Sequence, residues 1–199
     1  MKILTHGCNF TNYYWPCWPQ FVEWFTDHEV INRGRINSNN ETISRDVIDS
    51  AMEFKSGISH LYIMWSSDEH LKTLEHILRT QHFLNNYSLK YTMMISKQDV
   101  IDTNLKLHNE IDWTKFVFYN GNQGLHEYSN DNFKKYCHPI NQHPPPIAHY
   151  YWTKNIMFKS ELFAPEEKLV ILQDFWDHFD PSLTEDWDRK YEQGVKWLI

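Results

Sequence analysis

Cysteine is scarce in this chain of 199 residues. There are three, Cys8, Cys17 and Cys137, an odd number with no paired spacing. That argues against a disulfide framework and for a reducing compartment. Glycine is scarce too, at 6. Basic clusters are missing: no run of five or more Lys or Arg occurs, and the net charge is −7 with a pI of about 5.9. Binding to nucleic-acid phosphates needs a clustered cationic face, so a nucleic-acid partner is not expected. Long apolar runs are also lacking. No segment reaches the ~18 residues of a membrane span. The first apolar run, Lys2-Ile3-Leu4-Thr5, is shorter than the roughly 7–15-residue core of a signal peptide. The expectation is a cytoplasmic protein without a membrane partner.

What is present is core-forming material. Hydrophobic residues make up 41% and aromatics 16%, with 9 tryptophans. This composition is globular and not disordered. Most of the tryptophans are expected in the core, because aromatics carry the largest apolar area per residue. No repeat or low-complexity linker divides the chain.

Apolar runs alternate with helical patterns. Lys2–Thr5, Glu29–Asn32, His60–Trp65, Leu89–Ser96 and Lys115–Tyr119 read as five strands. Between them, Gln20–Phe25 follows Pro19 at a first helical position. Ile43, Val47, Ile48, Ala51 and Phe54 share one helix face, with Asn39 or Asn40 as its cap. Leu71, Leu74, Ile77 and Leu78 mark a further helix, and Val100–Asn109 a weaker one. Asn120-Gly121 reads as a turn. Residues 121–145 read as a polar loop, with one helical turn near Asn132–Tyr136. Ile147–Leu162 reads as a helix. This alternation predicts a three-layer α/β sandwich with a mainly parallel sheet of about five strands, flavodoxin-like in type. Residues 1–162 form that domain. Residues 163–199, with Leu172, Phe175, Trp176 and Phe179 at amphipathic spacing, form a helical extension packed on it.

Ligands of such sheets sit at the carboxyl ends of the strands. Gly7-Cys8-Asn9-Phe10-Thr11 follows the first strand there, Asn32-Arg33-Gly34 the second, and Ser66-Ser67-Asp68 the third. His143-Pro144-Pro145-Pro146 opens a late helix. An ester hydrolase needs a nucleophile, a base, an orienting acid and oxyanion donors. A tight turn after the first strand and a histidine ahead of a late helix can supply the first two.

These segments resemble the blocks of the SGNH (GDSL-type) hydrolases. The first block is closer still to a branch common in marine phages, which has Gly-Cys-Ser-Phe-Thr and then a Trp-Pro-rich stretch. Here that stretch is Tyr14-Trp15-Pro16-Cys17-Trp18-Pro19. Asn32-Arg33-Gly34 with Asn40-Glu41-Thr42-Ile43-Ser44-Arg45 is similar to the second block. Met64-Trp65-Ser66-Ser67-Asp68 stands at the third, and His143-Pro144 with Ala148-His149 at the last. The resemblance spans residues 1 to about 162. It implies His143 as base, Gly34 and the residue at 67 as oxyanion donors, and a small ester or acylated carbohydrate as ligand, with no cofactor.

Three positions depart from the family pattern. Asn9 stands at the nucleophile position. Ser67 replaces the oxyanion asparagine. The acid expected two or three residues before the histidine falls on Asn141 or Ile140. A degenerate site is therefore expected, phage-encoded, in the infected cell or in the virion. One alternative is a working esterase or deacetylase that uses Cys8, Ser66 or Ser67 as nucleophile; another is a non-catalytic scaffold. Other features have plainer readings. His126, Glu127, His138 and His143 lack the tight spacing of a metal site, so no metal is expected. Asp68 reads as a helix cap, His149 as structural, and Trp176, Trp187 and Trp197 as core or subunit contacts.

Overall fold

The structure is a computed structural model. It describes residues 2–13, 16–26, 28–54, 57–67, 70–101, 103–134, 137, 143–159 and 170. Four parallel strands form one sheet: β1 (Lys2–Gly7), β2 (Glu29–Asn32), β3 (Ile58–Trp65) and β4 (Tyr91–Ile95), in the order β2-β1-β3-β4. Three helices connect them: α1 (Trp18–Phe25), α2 (Asn40–Glu53) and α3 (His70–Asn86). Right-handed crossovers fix their sides. The step from β1 to β2 runs one way along the sheet, and the steps to β3 and β4 run the other way. So α1 lies on one face, and α2 and α3 share the opposite one. In agreement, α2 packs on α3, β1 and β3, while α1 packs on β2 and on α5 (Pro146–Trp152). This is the three-layer sandwich expected from the strand–helix alternation.

The central strands are buried on both faces, as parallel strands are. Ile3, Leu4, Leu61, Ile63, Met64, Met93 and Met94 are all core, together with Trp18, Trp65 and Trp152. The α2–α3 contact is close because small polar residues meet there: the Ser44 and Thr80 hydroxyls lie 2.8 Å apart. Asn39 caps α2 by accepting from the Thr42 N–H at 2.9 Å.

Four expectations need correction. Lys115–Tyr119 is not a full fifth strand. It touches β4 through one parallel bridge, Met93 with Phe116, and the Val117 N–H donating to the Met93 carbonyl at 2.9 Å. Asn120 and Gly121, both at positive φ, then fold the chain back so that Tyr119 pairs with Gln123. The segment leaves the sheet before a ladder can form. Val100–Asn109 is not an α-helix either. Two short 3₁₀ turns, Gln98–Val100 and Lys106–Glu110, flank Thr103 and Asn104, residue types that favour turns. Conversely, part of the expected polar loop is a helix, α4 (Leu125–Phe133). Only Leu125, Tyr128 and Ser129 are buried on it, a stripe too narrow to mark the helix by periodicity. Finally, the late helix changes pitch after α5, with a wider π-type turn over Thr153–Met157. The proposed extension at 163–199 lies outside the described residues, Val170 excepted. Among the described residues no helix is long and apolar enough to cross a membrane.

Candidate functional site

The crevice between the carboxyl ends of β1 and β3 is where the connections diverge to opposite faces, so a ligand site is expected there. Its floor is the turn after β1. Gly7 has φ +155°, and a Cβ there would lie 2.1 Å from Thr11 Oγ1 and 2.8 Å from the Met64 carbonyl. Only glycine lets the turn close this tightly over β3. The Cys8 carbonyl then accepts from the N–H groups of Thr11 and Asn12, at 2.8 and 3.2 Å. Gly34 braces the turn from the β2 side, where a Cβ would come within 2.5 Å of Thr11 Cγ2.

Asn32 ties these pieces together. Its Oδ1 accepts from Thr5 Oγ1 at 3.1 Å and from the Gly34 N–H at 2.9 Å, and its Nδ2 donates to the Thr11 carbonyl at 2.9 Å. The Gly34 N–H, at an oxyanion-donor position by the family resemblance, is thus engaged by Asn32 in this structure. The Gly34 carbonyl accepts from Asn12 Nδ2 at 3.0 Å.

Asn9 is half-buried at the rim of the turn, and its Oδ1 accepts from the Asn37 N–H. The side chain thus spans the loops after β1 and β2. Cys8 turns inward and is buried. Burial pushes its thiol pKa up, and hydrogen bonding to the Phe10 backbone, Ser66 and Ser96 opposes this only in part. A nucleophilic cysteine needs the reverse shift and access to solvent.

The loop after β3 is held by Asn40 on α2. Asn40 Oδ1 accepts from the Ser66 N–H at 2.8 Å, and its Nδ2 donates to the Ser66 carbonyl at 2.9 Å and to Thr73 Oγ1 at 2.8 Å. Ser66 is half-buried. Ser67 is exposed and donates to Asp99 Oδ2 at 2.8 Å, a carboxylate partner and not an imidazole. Asn40→Ala should cost about 2–4 kcal/mol, since it strips a buried clasp and leaves Ser66 backbone groups unpaired. Urea denaturation of the variant is the check. A midpoint unchanged from the parent would show that the clasp contributes nothing.

His143 is 5% exposed. Its ring stacks on Tyr13 at 3.9 Å and 13°, and meets Phe10 edge-on at 4.9 Å. The histidine is thus brought to the same turn that carries Asn9. Two features place it. Pro144, Pro145 and Pro146 restrict the approach to α5. His149, fully buried on α5, accepts the Trp18 N–H on Nδ1 at 3.2 Å and so anchors α5 to the start of α1. Burial, and then the neighbouring His143, push the His149 pKa down to about 3. His6 precedes Gly7 and is also buried. Neither of its ring nitrogens has a hydrogen-bond partner among the described residues. Burial, followed by Arg33 and Arg35, pushes its pKa down to about 3.

Phe10 also faces His126 on α4, with ring centroids 6.5 Å apart. His126 Nε2 bonds to Asn130 Nδ2 at 2.9 Å, and Glu127 caps α4 by accepting the Gly124 N–H at 2.8 Å. Among the described residues, no three of His, Cys, Asp or Glu are grouped to hold a metal ion. Asn141, Ile140, His138, Asp68, Trp176, Trp187 and Trp197 lie outside the described residues.

The chain has a GDSL-like fold. It matches a solved structure described as "a putative lipolytic protein of G-D-S-L family from Desulfitobacterium hafniense DCB-2" with a TM-score of 0.52, over 77% of this chain and 95% of that one. Sequence identity is 13%, so the likeness concerns the fold. No family model and no curated protein matches the sequence.

Sequence reading missed the roles of Asn32 and Asn40 within this GDSL-like frame. Both act through contacts more than 20 residues away in sequence, such as Asn32 with Thr11 and Asn40 with Ser66. The one local signal was a carboxamide at the end of a strand or the start of a helix.

Proposed function

We propose that the chain is an SGNH-hydrolase-like protein with a degenerate site, which binds an acylated glycan or a similar ester-bearing ligand without efficient turnover. One observation carries this reading. Asn9 occupies the turn after β1, where an attacking hydroxyl is required, and its carboxamide oxygen is committed to the Asn37 N–H. A carboxamide is a poor nucleophile. The sequence also puts Asn141 where an orienting acid belongs, and an amide cannot stabilise an imidazolium. The carboxamides around the turn beside His143 suit recognition of a polar, ester-bearing ligand. The Gly-Cys-Asn-Phe-Thr block followed by a Trp-Pro stretch supports the phage branch as the origin. A working esterase built on Cys8 is disfavoured by the burial and raised pKa of that thiol.

The test pairs two measurements on the wild-type chain. With 4-nitrophenyl acetate, only trace hydrolysis is expected. In calorimetric titrations, an O-acetylated oligosaccharide should bind more tightly than its deacetylated form. Robust turnover that is lost in Ser66→Ala or Ser67→Ala would establish an active enzyme instead. Equal or absent binding of the two oligosaccharides would remove the ligand from the proposal.

A further inference from the structure

A second cleft, of about 500 Å³, opens at the opposite end of the sheet from the Asn9 turn. It lies at the amino ends of the strands. Ile3, Ile58, Leu89 and the Tyr62 ring give it apolar walls, His28 also lines it, and Lys90 gives it a cationic group. Its size is in the range of small-molecule sites. Hydrogen bonding within the protein uses much of the remaining polar lining. Ser59 Oγ donates to the Lys2 carbonyl at 3.0 Å, Thr26 Oγ1 to the Val22 carbonyl at 3.0 Å, and His60 Nε2 bonds to Thr92 Oγ1 at 2.9 Å.

The Lys90 ammonium is different. No described residue pairs with it, and no carboxylate is among the described residues that line the cleft. Glu29, at the start of β2 and separated from β4 by two strands, is engaged by Lys2 at 3.7 Å. Burial, and then the charge of Lys90, hold the His60 pKa down to about 4, so the field of the ammonium reaches the cleft wall and the His60 imidazole is neutral near pH 7. The cleft thus offers one strong cationic donor over an apolar floor. A polyanion would need more cationic groups than this, and a neutral hydrocarbon would leave the ammonium unmatched.

We propose that this cleft binds a small monocarboxylate with an apolar body, its carboxylate on Lys90 and its chain against Ile3, Ile58 and Leu89. The site is remote from the Asn9 turn and does not depend on the reading of that turn. The test titrates octanoate into the full chain by calorimetry, with octanol as the uncharged control and circular dichroism to confirm folding. Lys90 is exposed, and its carbonyl, not its side chain, meets Leu61 in the sheet, so its substitution leaves the ladder intact. Expected are one-site binding of octanoate, about tenfold weaker binding in Lys90→Gln, loss in Lys90→Glu, and weaker binding of octanol than of octanoate. The proposal is overturned if octanoate fails to saturate a single site, if Lys90→Gln binds it as the parent does, or if octanol binds equally well.

Discussion

Lowering the pH from 7 to 5 should destabilise this protein by about 4 kcal/mol, a large part of the ~5–15 kcal/mol that holds a typical domain folded. The cause is two buried neutral imidazoles. His6 and His149 both have pKa values pushed down to about 3, mainly by burial, with Arg33 and Arg35 adding to the effect on His6 and His143 to that on His149. In the unfolded chain both would titrate near the ordinary value of 6.5. Above that value neither state binds the proton and stability is complete. Below it the unfolded state gains protons that the folded state refuses, and stability falls until the pH approaches about 3. Each imidazole contributes about 1.4 kcal/mol per pH unit, hence about 2 kcal/mol by pH 5. His60, held down to about 4, adds in the same direction. Urea midpoints at pH 7, 6 and 5 measure the slope. Replacing His149 by Gln, whose carboxamide oxygen can still accept the Trp18 N–H, should flatten it. A midpoint that does not move between pH 7 and 5 would contradict the burial of these neutral rings.

Asn9→Ser is expected to raise ester turnover above the parent, because it supplies the missing hydroxyl at the turn that His143 already approaches. The substitution gives up the Asn9–Asn37 hydrogen bond, at about 1 kcal/mol, so the variant should stay folded. Alone it should remain a poor catalyst, since an amide in place of the orienting acid costs a related triad about 10⁴-fold. Adding Asn141→Asp should recover part of that factor, and Ser67→Asn can return an oxyanion donor, a group worth ~2.7–4 kcal/mol elsewhere. The gains should be strongly non-additive, because the parts act as a unit. His143→Ala in the combined variant should remove them. Turnover of an acetyl ester across the series is the readout. Folded variants that never exceed the parent would mean that the turn and His143 do not form a catalytic pair.

The strands were legible because each apolar run is short and bounded, and the central ones carry buried residues, whereas β2 is mostly half-buried. Lys2–Thr5, Glu29–Asn32 and His60–Trp65 all lie in the sheet, with small differences in their ends. Lys115–Tyr119 misled because Phe116 and Phe118 alternate like a strand. They instead stack on each other at 5.4 Å as the chain turns away at Asn120. The helix at Leu125–Phe133 was invisible because its buried stripe, Leu125, Tyr128 and Ser129, is too narrow and too polar to show helical periodicity. At the candidate site, local spacing marked the tight turn at Gly7 and the histidine ahead of α5. The side-chain partners were out of reach: Asn9 with Asn37, Ser67 with Asp99, and Gly34 with Asn32 are set by which loops the sheet brings together.

The central claim is that the turn after β1 is a hydrolase nucleophile position that lacks its nucleophile. Covalent labelling with a fluorophosphonate, read by intact mass and peptide mapping, tests it most directly. The account predicts no label on the wild-type chain, one label on the peptide containing position 9 in Asn9→Ser, and none when His143→Ala is added. A folded Asn9→Ser protein that takes no label, or a wild-type chain that is labelled as readily, would contradict it.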